Sequence, residues 1–421
     1  MSADTVLVTG GAGFIGPQVV QLLLEETDYR VIVIDKLTYA ARVENGEPYS
    51  LKLVLDRLSN RIDLTSRYSF VQWDICDPHI TELLEAAKVD YVINMAAESH
   101  VDRSIGDTAE FILTEIHGTR NLLEAIRKQN AGRGKRVKRA VFVSTDEVYG
   151  SIDRMAGYEG DQWYALSDDA VRNLIHEYQF TEATPLGGGS PYAACKGGAD
   201  LLVLAYANTY RWNRETGERD PERMPVIITR CVNNFGPFQH PEKLIPLAIC
   251  TLLAPEVNNY QRHIPVYDEG LAVREWLHTE DHARAILHVL QHGQIGEIYN
   301  VGSGNRRRNL DILRTIFEAC RGRTDFRNLK EATFDATRSG GVARPGHDLC
   351  YAVNSTKLQQ LDPPWQPRRA GNLEAEIRGV VEWYIDHAEW WRPIWTSSEF
   401  TDYWDQTYRR IQDSAGGPLN F

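Results

Sequence analysis

The feature that most limits the fold of this chain is an apolar segment, residues 5–9, that runs directly into spaced glycines. Gly10, Gly13 and Gly16 have the spacing G-x-x-G-x-x-G, and a helical pattern begins near residue 15. In a strand–turn–helix unit the first glycine permits a tight turn, the second lets the backbone approach a diphosphate, and the third lets the helix pack close to the strand. The helix N-terminus then presents free amides to that diphosphate. We therefore expect a dinucleotide-binding unit here.

The next apolar segment, residues 30–34, ends in Asp35. A carboxylate about 20 residues beyond the glycines can accept hydrogen bonds from an adenosine ribose and would repel a 2′-phosphate, which favours NAD over NADP. Lys36 keeps NADP open, because a cation at this point could bind that phosphate. The alternative without function is a glycine-rich turn that binds nothing.

Strand and helix patterns alternate through the first half of the chain. Strands are predicted at 5–9, 30–34, 68–73, 90–95, 139–144 and 226–229, and helices at 15–26, 80–88, 107–129 and 190–212. Such alternation predicts an α/β fold, a doubly wound (Rossmann) parallel sheet with helices on both faces, and a smaller, mixed α/β substrate-binding domain.

We place the domain boundary near residue 234, where the elements become shorter and richer in Pro and Trp. Residues 1–234 are expected to bind the cofactor and residues 235–421 the substrate, with part of 275–302 packing back on the first domain. Residues 42–67 and 151–189 look like surface insertions, the second either a variable loop or a flap over a site.

The composition excludes several classes of protein. The 421 residues include 46 Lys+Arg and 58 Asp+Glu, for a net charge of −12, which disfavours non-specific binding of nucleic acid. No apolar run approaches the ~18 residues that cross a bilayer, and we expect no secretory signal. Six cysteines without paired or zinc-like spacing predict reduced thiols, no metal site and a cytoplasmic protein.

Tyr192 and Lys196 lie four residues apart in a helical segment and so share one helix face. A phenol titrates near 10 when unperturbed. A neighbouring ammonium and a nicotinamide cation would both lower the pKa, so Tyr192 could remove a proton from a sugar hydroxyl. By itself the spacing is more typical of an ordinary surface helix, and it gains meaning from the glycine pattern upstream.

The predicted strand at 139–144 is followed by Thr145, Asp146 and Glu147. Ligands of doubly wound sheets bind at the carboxyl ends of strands, where Thr145 could hydrogen-bond a substrate hydroxyl. Two adjacent carboxyls could serve an elimination, one removing a proton from carbon and the other protonating the leaving hydroxyl. Close carboxyls also tend to separate their pKa values, so one can stay protonated. An acidic strand end without function is the alternative.

These motifs resemble those of the nucleotide-sugar 4,6-dehydratases of the extended short-chain dehydrogenase/reductase group, with the enzymes acting on dTDP-glucose the most similar. The segments that carry the resemblance are 10–16, 96–104, 145–147, 192–196, 233–237, 241–246, 274–277 and 344–348. It extends from about Thr5 to about Trp391. The Thr-Asp-Glu trio is its most specific part, since related 4-epimerases and decarboxylases generally lack it.

The resemblance implies a lyase that uses NAD and regenerates it in each cycle. Oxidation at carbon 4 of a nucleotide-diphosphate glucose is followed by loss of water across carbons 5 and 6 and reduction at carbon 6, which gives a 4-keto-6-deoxy sugar. Tyr192 would take the 4-hydroxyl proton, Glu147 the proton on carbon 5, and Asp146 would protonate the departing 6-hydroxyl. A homodimer formed through the helices at 107–129 and 190–212 is also implied.

The same resemblance implies binding residues. The catalytic set is Thr145, Asp146, Glu147, Tyr192 and Lys196. NAD positions, besides Tyr192 and Lys196, are Gly10, Gly13, Phe14, Ile15, Gly16, Asp35, Lys36, Leu37, Thr38, Asp74, Ile75, Met95, Ala96, Ala97, Glu98, Thr114 and Asn234. Substrate positions are Ser99, Thr145, Asn233, Lys243, Leu244, Pro265, Tyr267, Arg274, Asn309, Arg344 and His347. Arg274 and Arg344 would clamp the diphosphate.

Three departures from the family pattern leave alternatives open. Ala343 precedes Arg344 where Asp is common, Asp268 follows Tyr267 where Gly is usual, and Glu115 stands where Asn is usual. UDP- or CDP-glucose therefore remains an alternative substrate. A nucleotide-sugar 4-epimerase and a non-catalytic NAD-binding scaffold are alternative functions, and the carboxyl pair argues against both.

Overall fold

A computed structural model describes residues 3–131, 136–158, 161–212, 216–257, 260–261, 264–321, 336–338 and 348–409. The strands are β1 (Thr5–Thr9), β2 (Arg30–Asp35), β3 (Val43–Glu44), β4 (Glu47–Pro48), β5 (Tyr68–Gln72), β6 (Tyr91–Asn94), β7 (Arg139–Thr145), β8 (Val226–Cys231), β9 (Asn233–Phe235), β10 (Glu256–Val257), β11 (Tyr260–Gln261), β12 (Ile264–Val266), β13 (Val273–His278), β14 (Ile298–Val301), β15 (Arg306–Arg308) and β16 (Ala336–Arg338).

The α-helices are α1 (Gly16–Glu26), α2 (Tyr49–Leu58), α3 (Leu64–Arg67), α4 (Ile80–Ala87), α5 (Val101–Gly106), α6 (Ala109–Phe111), α7 (Thr119–Gln129), α8 (Ile152–Met155), α9 (Asp161–Tyr164), α10 (Asp168–Tyr178), α11 (Pro191–Tyr210), α12 (Leu244–Leu253), α13 (Thr279–His292), α14 (Asn309–Arg321), α15 (Thr356–Gln359), α16 (Leu373–Asp386), α17 (Ala388–Trp395) and α18 (Ser398–Trp404). A π-helical turn, Ile112–Gly118, joins α6 to α7.

The central sheet, within the described residues, has the strand order β14-β8-β7-β6-β1-β2-β5. Each neighbouring pair is parallel. The predicted doubly wound α/β fold is confirmed, and the six predicted strands are its members. The seventh member, β14, comes from the second half of the chain and pairs with β8 through contacts such as Ile298 with Ile228.

The inner strands of this sheet are buried on both faces, whereas the edge strand β5 is only partly buried, and this burial explains the apolar runs of the inner strands. Along β1, Val6 and Val8 face one hydrophobic cluster and Leu7 faces the other, as the two-residue period of a strand requires. The first cluster contains the apolar faces of α1 and α13, and the second contains those of α4, α7 and α11. The long helix α11 is thereby fixed against the sheet.

A smaller mixed sheet, of order β15-β13-β9, lies beside the central one. Strand β13 is parallel to β9 and antiparallel to β15. Helices α12, α14 and α16 pack on one another, and the fully buried Trp390, Trp391 and Trp395 extend this core toward the C-terminus. The predicted smaller α/β unit is therefore present.

The two predicted insertions are not simple surface loops. Residues 42–67 contain the β3–β4 hairpin and α2, whose Leu51, Val54 and Leu58 are buried in the core. The described part of 151–189 contains α8, α9 and α10, and there Trp163 and Phe180 are buried. The sequence prediction failed here because each amphipathic stretch is short, and only the tertiary contacts show that its apolar side chains are buried.

No helix in the described ranges is long and apolar enough to cross a membrane. The six cysteines are all free.

Candidate active site

The glycine turn lies against the end of β6. Gly10 has φ +66°, and a Cβ there would come within 2.6 Å of the Ala96 amide nitrogen, so this position requires glycine. A Cβ on Gly16 would lie 2.2 Å from the Gly11 carbonyl oxygen. Gly16 therefore makes room for the turn itself, whereas the sequence pattern predicts that it makes room for the strand. A Cβ on Gly13 would meet only the Gly10 oxygen, at 3.5 Å.

Asp35 joins the glycine turn to the end of β2. Its carboxylate accepts hydrogen bonds from the Ala12 amide (2.9 Å) and the Leu37 amide (2.8 Å). The Lys36 ammonium lies 3.0 Å from Glu98 and 3.5 Å from Glu110. In the sequence, Lys36 kept NADP open as a possible cofactor. Because these two carboxylates neutralise Lys36, it does not offer a free positive charge to a 2′-phosphate.

Two cavities adjoin at the carboxyl edge of the sheet. The first, of about 280 Å³, is lined by the glycine turn, Asp35, the residues after β6 and the Tyr192–Lys196 face of α11. The second, of about 180 Å³, is lined by segments of the smaller unit and the start of α5. Residues that line both are Ser99, Glu147, Asn233, Glu242 and Lys243.

The predicted site residues gather around these cavities. Those lining the first are Gly10, Gly13, Phe14, Ile15, Gly16, Asp35, Lys36, Thr38, Asp74, Ile75, Met95, Ala96, Ala97, Ser99, Thr114, Thr145, Glu147, Tyr192, Lys196, Asn233, Asn234 and Lys243. Leu244, Pro265, Tyr267, Arg274 and Asn309 line the second. Leu37, Glu98 and Asp146 line neither. Arg344 and His347, with the departure at Ala343, lie outside the described residues.

Asp146 is buried behind the cavity wall. The turn Asp146–Tyr149 follows β7, and the Thr145 hydroxyl donates to Asp146 Oδ1 (3.3 Å) and accepts from the Glu147 amide (3.3 Å). Asp146 is 1% exposed, and among the described residues its Oδ2 has no hydrogen-bond partner. Burial, then the charges of Glu147 and Glu275, raise the pKa of Asp146 well above its usual value. A carboxyl in this state can donate a proton.

Helix α11 carries the phenol and the ammonium. The Ser190 side chain caps its N-terminus by accepting from the Ala193 amide (3.1 Å), and Pro191 occupies the first turn, as the sequence predicted. Lys196 Nζ donates to the Val143 carbonyl of β7 (3.1 Å) and lies 3.1 Å from Glu115.

The same face of α11 carries Asp200, which forms an ion pair with Arg230 of β8 at 2.8 Å. Both side chains are almost fully buried, so replacing either one alone would leave an uncompensated charge in the core. This pair and the Lys196 contact to β7 therefore fix the rotation of the helix and the position of Tyr192.

The charge balance around Tyr192 differs from the prediction. Burial raises the pKa of Tyr192 well above its usual value, and the charges of Glu147 and Glu115 raise it further, while a hydrogen bond with Thr145 opposes them. Lys196 is paired with Glu115. The positive charge of Lys196 is therefore partly balanced and lowers the pKa of Tyr192 less than the sequence pattern predicts. The protein without a cationic cofactor therefore holds Tyr192 as a neutral phenol.

Several residues of the site were not predicted. Gln239, His240, Glu242 and His282 line the first cavity. Glu242 lies within the segment that carries the resemblance, yet only its neighbour Lys243 was assigned a role. Burial would raise the pKa of Glu242, but the charges of His100, His240, Lys243 and Arg103, the last 2.9 Å away, lower it to about 2. Burial lowers the pKa of His282 to about 3, and no sequence pattern indicates this residue.

The cavities present acceptor atoms that the described protein leaves without donors. The side-chain oxygens of Asn233, Asn234 and Asn309 are buried and have no hydrogen-bond partner in the described ranges. Buried acceptors of this kind are costly unless a ligand or water supplies the donor. Together with the open space over Gly13, they fit a dinucleotide in the first cavity and a polar ligand in the second.

We expect Gly13→Ala to weaken dinucleotide binding at least about tenfold without changing the thermal midpoint of the ligand-free protein. The added methyl group meets no close protein atom and would occupy the space over the turn. Calorimetric titration with NAD measures the affinity. Gly371→Ala, which also adds a methyl group in open space, is the matched control. Equal NAD affinity in both variants would contradict the assignment of the turn.

Comparisons with known proteins agree with this geometry. Residues 6–302 match the model of the "NAD dependent epimerase/dehydratase family". A dTDP-glucose 4,6-dehydratase of Neisseria meningitidis serogroup B is 37% identical over 397 residues, which cover 93% of this chain and 96% of that protein. Two crystal structures of dTDP-glucose 4,6-dehydratases with NAD are also similar. The one from Bacillus anthracis has a TM-score of 0.69 and 33% identity, covering 93% of this chain and all of that one (100%).

The second, from Streptomyces venezuelae, has a TM-score of 0.70 and 35% identity, and covers 93% of this chain and 99% of that one. The match to the family model spans more than half of the chain, and the curated relative is similar over almost its full length. This chain belongs to the NAD-dependent epimerase/dehydratase family.

Proposed function

We propose that this chain is a nucleotide-hexose 4,6-dehydratase, a lyase that converts dTDP-glucose to the 4-keto-6-deoxy sugar and regenerates its NAD. The observation that carries the proposal is the position of Glu147, which lines both cavities. One cavity contains the dinucleotide turn and Tyr192, and the other contains Arg274 and Asn309. A carboxylate at their junction is in reach of a hexose placed between the two. A 4-epimerase has no use for this carboxylate or for the Asp146 carboxyl beside it, whose pKa is raised.

In this proposal the first cavity holds NAD. The glycine turn and the N-terminus of α1 bind the diphosphate, and no acidic residue lies in the first turn of α1 to oppose it. Asp35 binds the adenosine ribose, and Asn234 and Thr114 lie at the wall. A bound NAD would supply the hydride acceptor for oxidation at carbon 4 and the hydride donor for reduction at carbon 6.

The second cavity holds the nucleotide diphosphate. Arg274 is fixed by hydrogen bonds to the carbonyls of Val273 (2.9 Å) and Asp348 (2.6 Å) and by stacking on the Tyr351 ring at 4.4 Å. A guanidinium held in this way is preorganised to bind phosphate oxygens. We propose the same role for Arg344, and substrate contacts for Ser99, Asn233, Lys243, Leu244, Pro265, Tyr267, Asn309 and His347.

The chain's own residues move protons in a balanced cycle. Tyr192 accepts the proton of the 4-hydroxyl, once the bound cofactor cation has lowered the pKa of the phenol. Glu147 takes the proton of carbon 5, which the new ketone acidifies, and later returns a proton to carbon 5. Asp146 protonates the leaving 6-hydroxyl. Each cycle therefore leaves Tyr192 with one proton more and Asp146 with one proton fewer.

Thr145 connects the two residues whose proton counts change. Its hydroxyl donates to Asp146 and also acts on Tyr192, whose pKa it lowers, and among the described residues no other group hydrogen-bonds the carboxyl of Asp146. If the Thr145 hydroxyl accepts a proton from the phenol of Tyr192 and gives its own proton to Asp146, one proton passes from the phenol to the carboxylate. We propose that this transfer restores the resting state, in addition to the contact of Thr145 with the substrate.

We further propose that residues 1–234 form the NAD-binding domain and residues 235–421 the substrate domain, with part of 275–302 belonging structurally to the first. The packing of α13 and β14 on the central sheet supports this division. The free cysteines support a cytoplasmic location. A homodimer is supported by exposed apolar side chains on adjacent helical segments, namely Ile112, Leu113 and Leu201.

Incubation with dTDP-glucose is expected to give a product that has lost one water and forms a 4-keto chromophore in base, without net accumulation of NADH. Mass spectrometry of a panel that includes UDP-glucose and CDP-glucose identifies the substrate. Interconversion of glucose and galactose nucleotides at constant mass would instead indicate a 4-epimerase. If no glucose nucleotide loses water, the proposed function is wrong.

The three acid–base residues are expected to fail at different steps. Tyr192→Phe should abolish reduction of the bound cofactor, because no base accepts the 4-hydroxyl proton. Glu147→Gln and Asp146→Asn should still reduce it in a single turnover but slow the loss of water by about 10²–10⁴-fold. Stopped-flow absorbance of NADH and quenched-flow analysis of product separate the two steps. Equal loss of cofactor reduction in all three variants would contradict these roles.

Leu201→Glu is expected to convert the proposed dimer to monomers, because Leu201 is an apolar residue of α11 that is 58% exposed and a buried unpaired charge is costly at an interface. Sedimentation velocity measures the change. Met155→Glu places the same charge on an apolar residue of α8 that is 44% exposed and should leave the mass unchanged. A wild-type monomer, or a Leu201→Glu dimer of unchanged stability, would contradict the interface.

A further inference from the structure

Glu115 forms a buried ion pair with Lys196. Its Oε2 lies 3.1 Å from the Lys196 Nζ, and the exposed fractions of the two side chains are 2% and 9%. The other oxygen, Oε1, is buried and has no hydrogen-bond partner among the described residues. Within the described chain, Lys196 is therefore the one polar group that this carboxyl contacts, which indicates that its role lies in that contact.

The backbone around Glu115 is also unusual. Glu115 lies in the π-helical turn Ile112–Gly118, directly after Thr114, which lines the first cavity. Single π-helical turns within α-helices are frequent at functional sites. Helix α11 packs on this turn, and Lys196 donates at the same time to the Val143 carbonyl at 3.1 Å. Two elements thus hold the ammonium in one place.

Glu115 places a negative charge at a position where the family pattern has a neutral side chain. Asn is usual at this position in the family that the chain resembles, and an amide there would leave the charge of Lys196 uncompensated. Glu115 instead brings a full negative charge at the same point. A buried carboxylate is costly unless a cation balances it. Glu115 can therefore be buried in its charged form because it is paired with Lys196.

The charge of Glu115 also acts on Tyr192, which lies one helical turn before Lys196. Groups that face the phenol from the packed elements are Glu147 and Asp146 after β7, Glu115 on the π-helical turn, and the hydroxyl of Thr145. Burial is the largest cause that raises the pKa of Tyr192, and Glu115 contributes in the same direction as the other two carboxyls.

The groups that face Glu115 itself are Lys196, Glu98 and Asp200. Burial raises the pKa of Glu115, Lys196 opposes this, and the two acidic residues add to it. Glu98 has its own partner in Lys36, and Asp200 has its own in Arg230. Glu115 is therefore the acidic group that balances the charge of Lys196.

We propose that Glu115 is a positioning residue for the first acid–base step. Its carboxylate fixes the ammonium of Lys196 and displaces to higher pH the range in which Tyr192 accepts the hydroxyl proton of the substrate. The proposal rests on the proposed dehydratase function, since it assumes that Tyr192 is the base.

The test is the pH dependence of kcat/KM for dehydration of dTDP-glucose by Glu115→Gln. The acid limb of this profile reports the pKa of the base in the free enzyme. Removing the negative charge leaves the positive charge of Lys196 uncompensated, and both effects favour the phenolate. The limb is therefore expected to move to lower pH by about one unit. KM for dTDP-glucose should not change, because Glu115 lines neither cavity.

Two further variants complete the design. Glu124→Gln removes the same charge on the adjoining helix α7, where Glu124 is paired with Arg127 at 2.7 Å, and should leave the limb in place. Glu115→Asn removes the charge with a shorter side chain and should move the limb as Glu115→Gln does, so it serves if the glutamine variant does not fold. Circular dichroism and thermal midpoints verify the fold of each.

The possible results separate this proposal from the proposed function. A wild-type protein that dehydrates no glucose nucleotide overturns both. Dehydration by the wild type, with an acid limb that stays in place or moves to higher pH in the folded Glu115 variants, overturns the role of Glu115 alone. A uniform loss of kcat/KM at every pH, with the limb unmoved, would mean that Glu115 serves only the fold.

Discussion

The parallel order of the central sheet is the constraint on which the site depends. Because neighbouring strands run the same way, their carboxyl ends open on one edge, and the segments that follow them must lie side by side there. The glycine turn after β1, Asp35 at the end of β2, the 95–99 segment after β6 and the acidic turn after β7 are separated widely in sequence. The strand order alone brings them to one crevice, and α11 then covers it with Tyr192.

Much of this arrangement could be predicted from the sequence. Strand β1 has the bounds that its apolar run predicts, and the other predicted strands differ by one or two residues. Such strands are buried on both faces, so their apolar character is continuous and easy to recognise. Most of the predicted site residues line the two cavities, because the motifs are local: a turn, a strand end and one helix face. Their roles stay predictions.

What the sequence did not predict comes from contacts between distant elements. The helices in 42–67 and 151–189 are short, and their burial depends on distant segments: α2 packs on α1 and accepts a hydrogen bond from Trp390, and Phe180 pairs with Val353. Glu115 departs from the family pattern, yet no pattern in the chain indicates that its carboxyl contacts Lys196. The raised pKa of Tyr192 also comes from tertiary structure, first from burial and then from the charges of Glu147 and Glu115, while the ammonium expected to act on the phenol is paired with Glu115.

The charges around the crevice explain why one carboxyl there can act as an acid. Three acidic side chains near the site each have a cation of their own: Glu98 with Lys36, Glu115 with Lys196 and Asp200 with Arg230. These pairs occupy the charges of Lys36, Lys196 and Arg230, and Arg274 is the cation that opposes the rise in the pKa of Asp146. Asp146 is buried beside Glu147, and among the described residues the Thr145 hydroxyl is its only hydrogen-bond donor, so an ionised Asp146 would be a poorly compensated charge next to another carboxylate. A protonated Asp146 avoids both the burial of a charge and the repulsion from Glu147. Its proton is then available for a leaving hydroxyl.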